Sequence, residues 1–345
     1  MKDFRYKRAE SQDSSGRPEI RESQVAEQPD TGKSPKALDD ADFSHVEVDA
    51  IDTMEYKHWN TDAESKENKD AIAGYDFKKR SVDKASLVTQ RDILTRYKGA
   101  FDRDAYERMS NELGSNKMEI YTSPYFSSHF AQDHGKYIVT GVRTIKDGKI
   151  CLRDNDNVDG LVHTATHETM HDLSYQRNRD VSGSAKQLPG QDIPFVRLDS
   201  ESGIHRIEKV KYTSADGTDI SKEVHVNRYL NEGLTELYTI EEMQRRGEMP
   251  DFSSYTDEVG WAYALRDRVG EESVVNAYFG GDLAALEKRV NSMSDIPNAW
   301  RILNQSIDAF HTSMDPLEKS RHKEVADSII LSLKDPRVFV RRRSR

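Results

Sequence analysis

The chain has 345 residues, of which 35% are hydrophobic and 32% are charged, and its formal net charge is −10. This length and apolar content suit one large domain or two ordinary ones. The acidic balance argues against nucleic-acid binding, which needs a basic surface, and no apolar stretch has the length needed for membrane insertion.

Residues 1–84 have a composition typical of a disordered segment: they are rich in Ser, Asp, Glu and Lys and show little hydrophobic periodicity. We expect disorder here, with a pro-piece, an export signal or a docking peptide as the alternative. The first residues carry positive charge without an apolar core, which is not the pattern of a cleavable signal peptide. Because the one cysteine cannot form an internal disulfide, we expect the cytoplasm, or export by a route without such a peptide.

An ordered domain is predicted over residues 85–345, where hydrophobic periodicity begins with a helical stretch. Three strand-like runs follow, at 118–123, 136–144 and 149–154, and they predict a small antiparallel sheet. Cys151 lies in the third run. We expect it to be a small buried residue and not a nucleophile.

The next predicted helix, over about 158–175, carries a metal-binding pattern, because residues 167–171 read HETMH. Helical spacing brings His167 and His171 to one face, where their imidazoles can take two corners of a zinc tetrahedron. Glu168 then borders the open corner, where it can accept a proton from a zinc-activated water.

The rest of this helix predicts how it packs. Asp156 or Asn157 is expected to cap its N-terminus. An apolar face is expected to pack into the core, with the histidines facing outward; it comprises Val158, Leu161, Val162, Ala165 and Leu173. His163 lies one turn before His167, and we expect it on the cleft wall or the polar surface. A role as a further ligand is disfavoured because three successive turns spread over about 12 Å of helix axis.

Residues 176–224 interrupt the helical pattern with several glycines and prolines and two short strand-like runs, so they predict an inserted loop or hairpin. From 226 onward the pattern is helical again, and 245–335 is predicted to form a helical subdomain. At the start of this half, Glu232 and Glu236 share one side of a helix opposite a leucine stripe. Taken alone, this acidic pair would predict only a solvated face.

Together, HETMH and the later segment LNEGLTE resemble the gluzincin superfamily of zinc peptidases. The resemblance to the N-E-G-F-A segment of the aminopeptidase branch implies that Glu232 is the third zinc ligand. The similarity to the N-E-x-x-x-D pattern of thermolysin-like enzymes implies that Glu236 orients a ligand histidine from outside the coordination sphere. Glu232 lies 61 positions after His171, which is longer than in those families, and no G-x-M-E-N motif is present, so exopeptidase activity is not implied.

This resemblance implies a zincin-like α+β fold: a small antiparallel sheet, an active-site helix and a mostly helical C-terminal half. Residues 255–290 also look like a segment of uncharacterised bacterial proteins with the same arrangement. Zinc peptidases need a donor for the oxyanion. Tyr255, Tyr263 and Tyr278 are candidates, each with a core or surface position as the alternative, and Tyr255 is preferred because it follows a loop after the ligand helix.

The expected function is zinc-dependent hydrolysis of a peptide or protein substrate, as an endopeptidase, with Zn2+ as cofactor and Glu168 as base. The alternative from another class is a non-catalytic, zinc-stabilised peptide-binding protein. Glu168 disfavours that alternative, since a structural zinc site has no use for a base. An exported bacterial effector protease is a third interpretation, and it concerns location rather than chemistry.

Overall fold

In a computed structural model of the protein, the described residues are 20–21, 66–114, 118–121, 126, 141–143, 149–154, 157–188, 191–213, 218–250 and 255–334. Side chains are not described for 66–73 and 179–198. Apart from Ile20–Arg21, the predicted disorder of residues 1–65 lies outside this range. So do residues 136–140 of the second predicted strand.

The described residues form an α+β fold with small sheets and a helical C-terminal half. The helices are α1 (Lys66–Arg96), α2 (Arg103–Asn111), α3 (Val158–Leu173), α4 (Arg228–Arg245), α5 (Thr256–Val269), α6 (Glu271–Gly280), α7 (Leu283–Met293), α8 (Ala299–Thr312) and α9 (Pro316–Ser332). The strands are β1 (Ile20–Arg21), β2 (Met118–Tyr121), β3 (Gly141–Arg143), β4 (Ile150–Arg153), β5 (Gln176–Leu188), β6 (Gln191–Ser202), β7 (His205–Thr213) and β8 (Asp219–Val226). Among these helices, none combines the length and apolar composition that a bilayer crossing requires.

The small sheet next to α3 is mixed, and the predicted purely antiparallel sheet is wrong. Its strand order is β2-β4-β3. β2 runs parallel to β4, with Met118 opposite Ile150, whereas β3 runs antiparallel to β4, with Gly141 opposite Leu152. β2 and β3 are the two edge strands, and β4, the last of the three in the chain, lies between them. The first and last strands, β2 and β4, point the same way. Sequence runs do not reveal this order.

The described residues of the segment 176–224, predicted as a loop or hairpin, lie mostly in strands. β5 to β8 follow one another in space as in sequence, and with β1 they form a sheet of order β1-β5-β6-β7-β8. The two strand-like runs of the sequence fall in β6 and β7. β5 was missed because most of its residues are polar. Paired strands can be stabilised by backbone hydrogen bonds without an apolar pattern.

The chain divides into two compact units. The smaller comprises 1–32, 178–199 and 208–224, and within it Lys209 Nζ lies 2.9 Å from Glu223 Oε2. The larger comprises 33–177, 200–207 and 225–345. It contains α3, α4 and all the residues of the site described below.

Helix α3 lies between two hydrophobic clusters of the larger unit. Leu161 and Ala165 pack into the cluster formed with β2, β4 and Val82 of α1. Met170 and Leu173 pack into the large cluster of the C-terminal helices. The histidine face is also enclosed: His163 is 6% exposed and His167 is 8% exposed. The predicted helix with one buried face and outward histidines is therefore wrong, because neighbouring elements cover α3 on more than one side.

Helix α1 extends the folded region upstream of the predicted boundary at residue 84. Residues 66–84, predicted to be disordered, are part of α1. Val82 is fully buried, and Tyr75 packs against the same small cluster. Among residues 74–84 the polar side chains are half-buried or exposed, because one turn in the core needs few apolar residues.

Polar contacts between the helices fix their relative positions. Thr169 Oγ1 of α3 donates to Ser86 Oγ of α1 at 2.9 Å. Arg246, just after α4, donates to Thr89 Oγ1 of α1 at 2.7 Å and to Thr166 Oγ1 of α3 at 3.1 Å. A guanidinium has several donors in a rigid plane, so a single arginine can join three helices.

Candidate metal centre

Helix α3 begins at the predicted cap and carries HETMH in its last two turns. Asn157 is the N-cap, and its side chain accepts a hydrogen bond from Asp159 N at 3.0 Å. The α-helical spacing brings the Nε2 atoms of His167 and His171 to 3.2 Å from each other. These rings converge on one point, as the sequence pattern predicts.

Helix α4 supplies the acidic residue of the cluster. Glu232 Oε2 lies 3.1 Å from His171 Nε2 and 3.5 Å from His167 Nε2. One atom from each residue lies within 4.8 Å of the others, so His167, His171 and Glu232 form a group that could hold a metal ion. Among the residues that the structure describes, this is the group with that geometry.

The charges of the cluster favour a cation. Burial would lower the pKa of His167, but hydrogen bonds with Glu232 and Glu236 outweigh it and raise the pKa to about 10. Burial favours the neutral form of Glu232, yet the charge of His171 and hydrogen bonds with both histidines hold its pKa well below the usual range. The surrounding carboxylates stabilise positive charge at this position, so a metal ion could take the place of the proton on His167.

Glu236 lies one turn beyond Glu232, where the sequence placed a carboxylate that orients a ligand histidine. Its Oε2 accepts a hydrogen bond from His167 Nδ1 at 2.8 Å, and its Oε1 lies 2.9 Å from His163 Nε2. His163 is therefore a buried partner of Glu236, and the predicted position on the cleft wall or polar surface is wrong. The two helices thus share an alternating row of five residues, which we call the His–Glu ladder: His163, Glu236, His167, Glu232 and His171.

Glu168, the candidate base, follows the first ligand histidine and lies against strand β3. It is 9% exposed. A Cβ atom at Gly141 would lie 2.6 Å from Glu168 Oε1, so a larger residue there would require this carboxylate to shift. β3 stands at the edge of the small sheet in the described part of the chain. The base is thus held beside an edge strand.

The three candidate tyrosines lie in different environments. The Tyr255 ring stacks on His167, with centroids 5.9 Å apart and planes within 9°. The negative charge of Glu232, together with burial, holds the pKa of Tyr255 well above its usual range, so the hydroxyl keeps its proton. Tyr263 is 57% exposed, and Tyr278 is fully buried in the core. Tyr255 is the candidate that lies beside the metal cluster.

His171 has a weaker outer partner than His167. Its Nδ1 lies 3.4 Å from Thr235 Oγ1, which in turn lies 2.7 Å from the Tyr278 hydroxyl. The Tyr278 hydroxyl therefore belongs to the buried packing behind His171. Burial raises the pKa of this tyrosine, which keeps it neutral.

Asn231, the residue before Glu232, clamps the turn between β6 and β7. Its Oδ1 accepts a hydrogen bond from Ile204 N at 2.9 Å, and Asn227 Nδ2 donates to Ile204 O at 3.0 Å. Both asparagines are buried. The clamp ties the turn, and His205 after it, to the start of the ligand helix.

His205 is a functional candidate that the sequence did not reveal. Its Nε2 lies 3.1 Å from His225 Nδ1, and the two rings stack. Burial lowers the pKa of His205 to about 4, against the opposing attraction of Glu232. His171 also acts electrostatically on this ring. A histidine within a strand-like run carries no signal of its own, since the clamp of the preceding residue depends on contacts distant in the chain.

Gly233, after Glu232, allows a close approach between two helices. A Cβ atom here would clash with the backbone oxygen of Glu258, so the glycine lets α4 approach α5 instead of α3. Glu258 is buried and lies 3.0 Å from His311 Nδ1. In the NEG segment, Asn231 therefore holds the turn between β6 and β7, Glu232 is a candidate ligand, and Gly233 lets α4 contact α5.

Comparisons of the chain with protein-family models, with curated proteins and with solved structures found no match.

Proposed function

We propose that this protein is a zinc-dependent endopeptidase with a zincin-like catalytic domain. The observation that supports this most directly is the convergence of His167, His171 and Glu232 with Glu168 beside them. Two imidazoles and one carboxylate from the protein are the ligand set of a catalytic zinc site with an open position.

The spacing of the candidate ligands fits zinc. Zn–N bonds of about 2.0–2.1 Å in a tetrahedron separate neighbouring ligand atoms by about 3.3 Å. The Nε2 atoms of the two histidines are 3.2 Å apart. Glu232 Oε2 lies 3.1 Å from His171 Nε2 and 3.5 Å from His167 Nε2. The remaining corner is the place for a water and the substrate carbonyl.

Bound zinc would lower the pKa of a water to about 7 and polarise the substrate carbonyl. Glu168 takes the proton of the attacking water and passes it to the leaving amine as the peptide bond breaks. Tyr255, with its hydroxyl protonated, is the donor available to the oxygen that gains negative charge. Glu236 holds the ring of His167 through Nδ1.

The edge strand β3 gives a place for the substrate backbone. An extended peptide can add to an open sheet edge through main-chain hydrogen bonds. Gly141 of that strand lies against Glu168, so a peptide paired with β3 would pass the base. Peptide and protein chains are therefore the substrate class that this arrangement favours.

The test compares zinc content and cleavage in the wild type and in Glu168→Gln. The wild type is expected to contain one zinc per chain and to cleave members of a proteome-derived peptide library. A chelator should abolish cleavage, and zinc should restore it. Glu168→Gln should keep its zinc, and its turnover should fall by roughly 10²- to 10⁴-fold, as for loss of a general base.

Asp159→Asn is the matched control, because this acidic residue is exposed in the first turn of the same helix. It should behave as the wild type. A wild-type protein that takes up no zinc would overturn the proposal. Zinc binding without any cleavage would favour the non-catalytic peptide-binding protein instead.

A further inference from the structure

The His–Glu ladder contains one member, His163, that the proposed mechanism does not use. It lies one helical turn before His167, and its Nε2 is 2.9 Å from Glu236 Oε1. Glu236 is 1% exposed, so this contact takes place within the protein interior. The second oxygen of the same carboxylate accepts from His167 Nδ1 at 2.8 Å.

Each oxygen of Glu236 thus contacts a different histidine, and these contacts affect the free energy of the buried carboxylate. A buried carboxylate is costly unless it is paired and hydrogen-bonded. With His163 removed, Glu236 would retain one histidine partner, and its buried Oε1 would lose the 2.9 Å ion-pair contact with His163 Nε2.

The geometry excludes the simpler roles for His163. It is 6% exposed, so it is not part of a cleft wall. It does not belong to the group of atoms that converge as candidate metal ligands in the described residues. Its contact with Glu236 connects it to the metal cluster through one carboxylate.

We infer that His163 is a positioning residue of the metal centre: it fixes the Glu236 carboxylate in the orientation that holds the His167 ring toward the metal. The inference rests on the proposed zinc site and adds a third residue to the familiar pair of carboxylate and ligand histidine. Outer partners of this kind fix the orientation and tautomer of a ligand ring, which the metal needs to form a short bond.

The test replaces His163 with residues that lack or keep a donor. His163→Leu removes the donor and keeps an apolar side chain, whereas His163→Gln keeps an N–H donor. We expect about tenfold weaker zinc binding for His163→Leu, at the lower end of the 10- to 100-fold typical of outer partners. His163→Gln should recover most of the affinity. The measurement is competition against a chromophoric zinc chelator, with His322→Leu on α9 as the matched control.

The visible spectrum of the cobalt-substituted protein gives a second readout, since it reports the geometry of the ligands. It should change in His163→Leu and return toward wild type in His163→Gln. If His163→Leu does not fold, His163→Asn serves in its place, because the shorter amide cannot reach Glu236 as the longer one does. Equal zinc affinity and equal spectra in all these variants would overturn the positioning role.

A double-mutant cycle separates positioning from a general effect on packing. In a Glu236→Ala background, His163→Leu should cause no further loss of zinc affinity, because its partner is already absent. The same loss in both backgrounds would show that His163 acts independently of Glu236 and would overturn the inference. A wild-type protein that binds no zinc would remove the proposed function and this role with it. Failure of the positioning role alone would leave wild-type zinc binding and cleavage intact.

Discussion

The two halves of the His–Glu ladder use the same residue types at the same helical spacing, yet they differ in pairing and exposure. In the metal half, the side chains of His167, Glu232 and His171 are 11%, 18% and 19% exposed, and their atoms converge on one point. In the buried half, the side chains of Glu236 and His163 are 1% and 8% exposed, and they contact each other within the ladder. Helical spacing therefore supplies candidate ligands, and pairing decides which of them remain available to a metal.

The largest expected effect is on zinc affinity, and it distinguishes Glu232 from Glu236. Glu232→Ala removes a proposed direct ligand, so zinc affinity should fall by far more than the roughly 10- to 100-fold that loss of an outer carboxylate costs. Glu236→Ala should stay within that smaller range. Chelator competition measures both, with Gln244→Ala, an exposed change on the same helix, as the control. If Glu236→Ala abolished binding and Glu232→Ala only weakened it, the roles of the two halves would be exchanged.

The second effect is the pH dependence of zinc binding in the metal half. His167 has a pKa of about 10 without metal, so zinc must displace its proton. Affinity should rise about tenfold per pH unit between pH 7 and 9, because one proton is released. Glu236, with a pKa of about 2, is already ionised and adds nothing to this slope.

The same raised pKa affects the stability of the zinc-free protein. The value in the folded state, about 10, exceeds the ordinary 6.5, so proton binding favours the folded state. This contribution is fully present below pH 6.5 and is lost as the pH rises through about 10. Thermal melts of the zinc-free protein across this range measure it. A zinc affinity that did not change between pH 7 and 9 would contradict the protonated site.

The third effect lies outside the ladder and should leave zinc binding unchanged. Gly141→Ala would place a Cβ atom 2.6 Å from Glu168 Oε1 and displace the base. Turnover should fall roughly 10- to 100-fold, since a misplacement of about 1 Å can cost 10²-fold. Gly74→Ala is the matched control, because a Cβ atom there meets nothing within 4 Å. A loss of zinc from Gly141→Ala would show that β3 supports the metal half as well as the base.

The smallest effect compares the outer partners of the two ligand histidines. Thr235 Oγ1 lies 3.4 Å from His171 Nδ1, at the long limit of a hydrogen bond, whereas Glu236 contacts His167 at 2.8 Å. Thr235→Val should therefore weaken zinc binding only a few-fold, below the 10- to 100-fold expected for Glu236→Ala. Thr239→Val is the control, since the Thr239 hydroxyl donates to the backbone oxygen of Thr235, one turn earlier in the same helix. An effect as large as that of Glu236→Ala would show that the Thr235 hydroxyl is the main support of His171.

Part of this arrangement could be predicted from the amino-acid sequence, because local spacing determines it. The period of the α-helix brings His167 and His171 together and places Glu232 and Glu236 on one side of α4. The cap at Asn157 and the helical C-terminal half follow from local propensities in the same way. These features need only a few neighbouring residues.

Only the tertiary structure determined how the elements meet. The order of the small sheet, the burial of His163 against Glu236 and the contact of His205 with His225 each depend on residues far apart in the chain. The same applies to Gly233, whose close neighbour is α5 and not α3. A helix pattern shows which residues share a face, but it carries no information about what covers that face. Whether a histidine becomes a ligand, a buried partner or a surface residue is decided by the groups that pack against it, because burial and pairing set the free energy of its charge and hydrogen bonds.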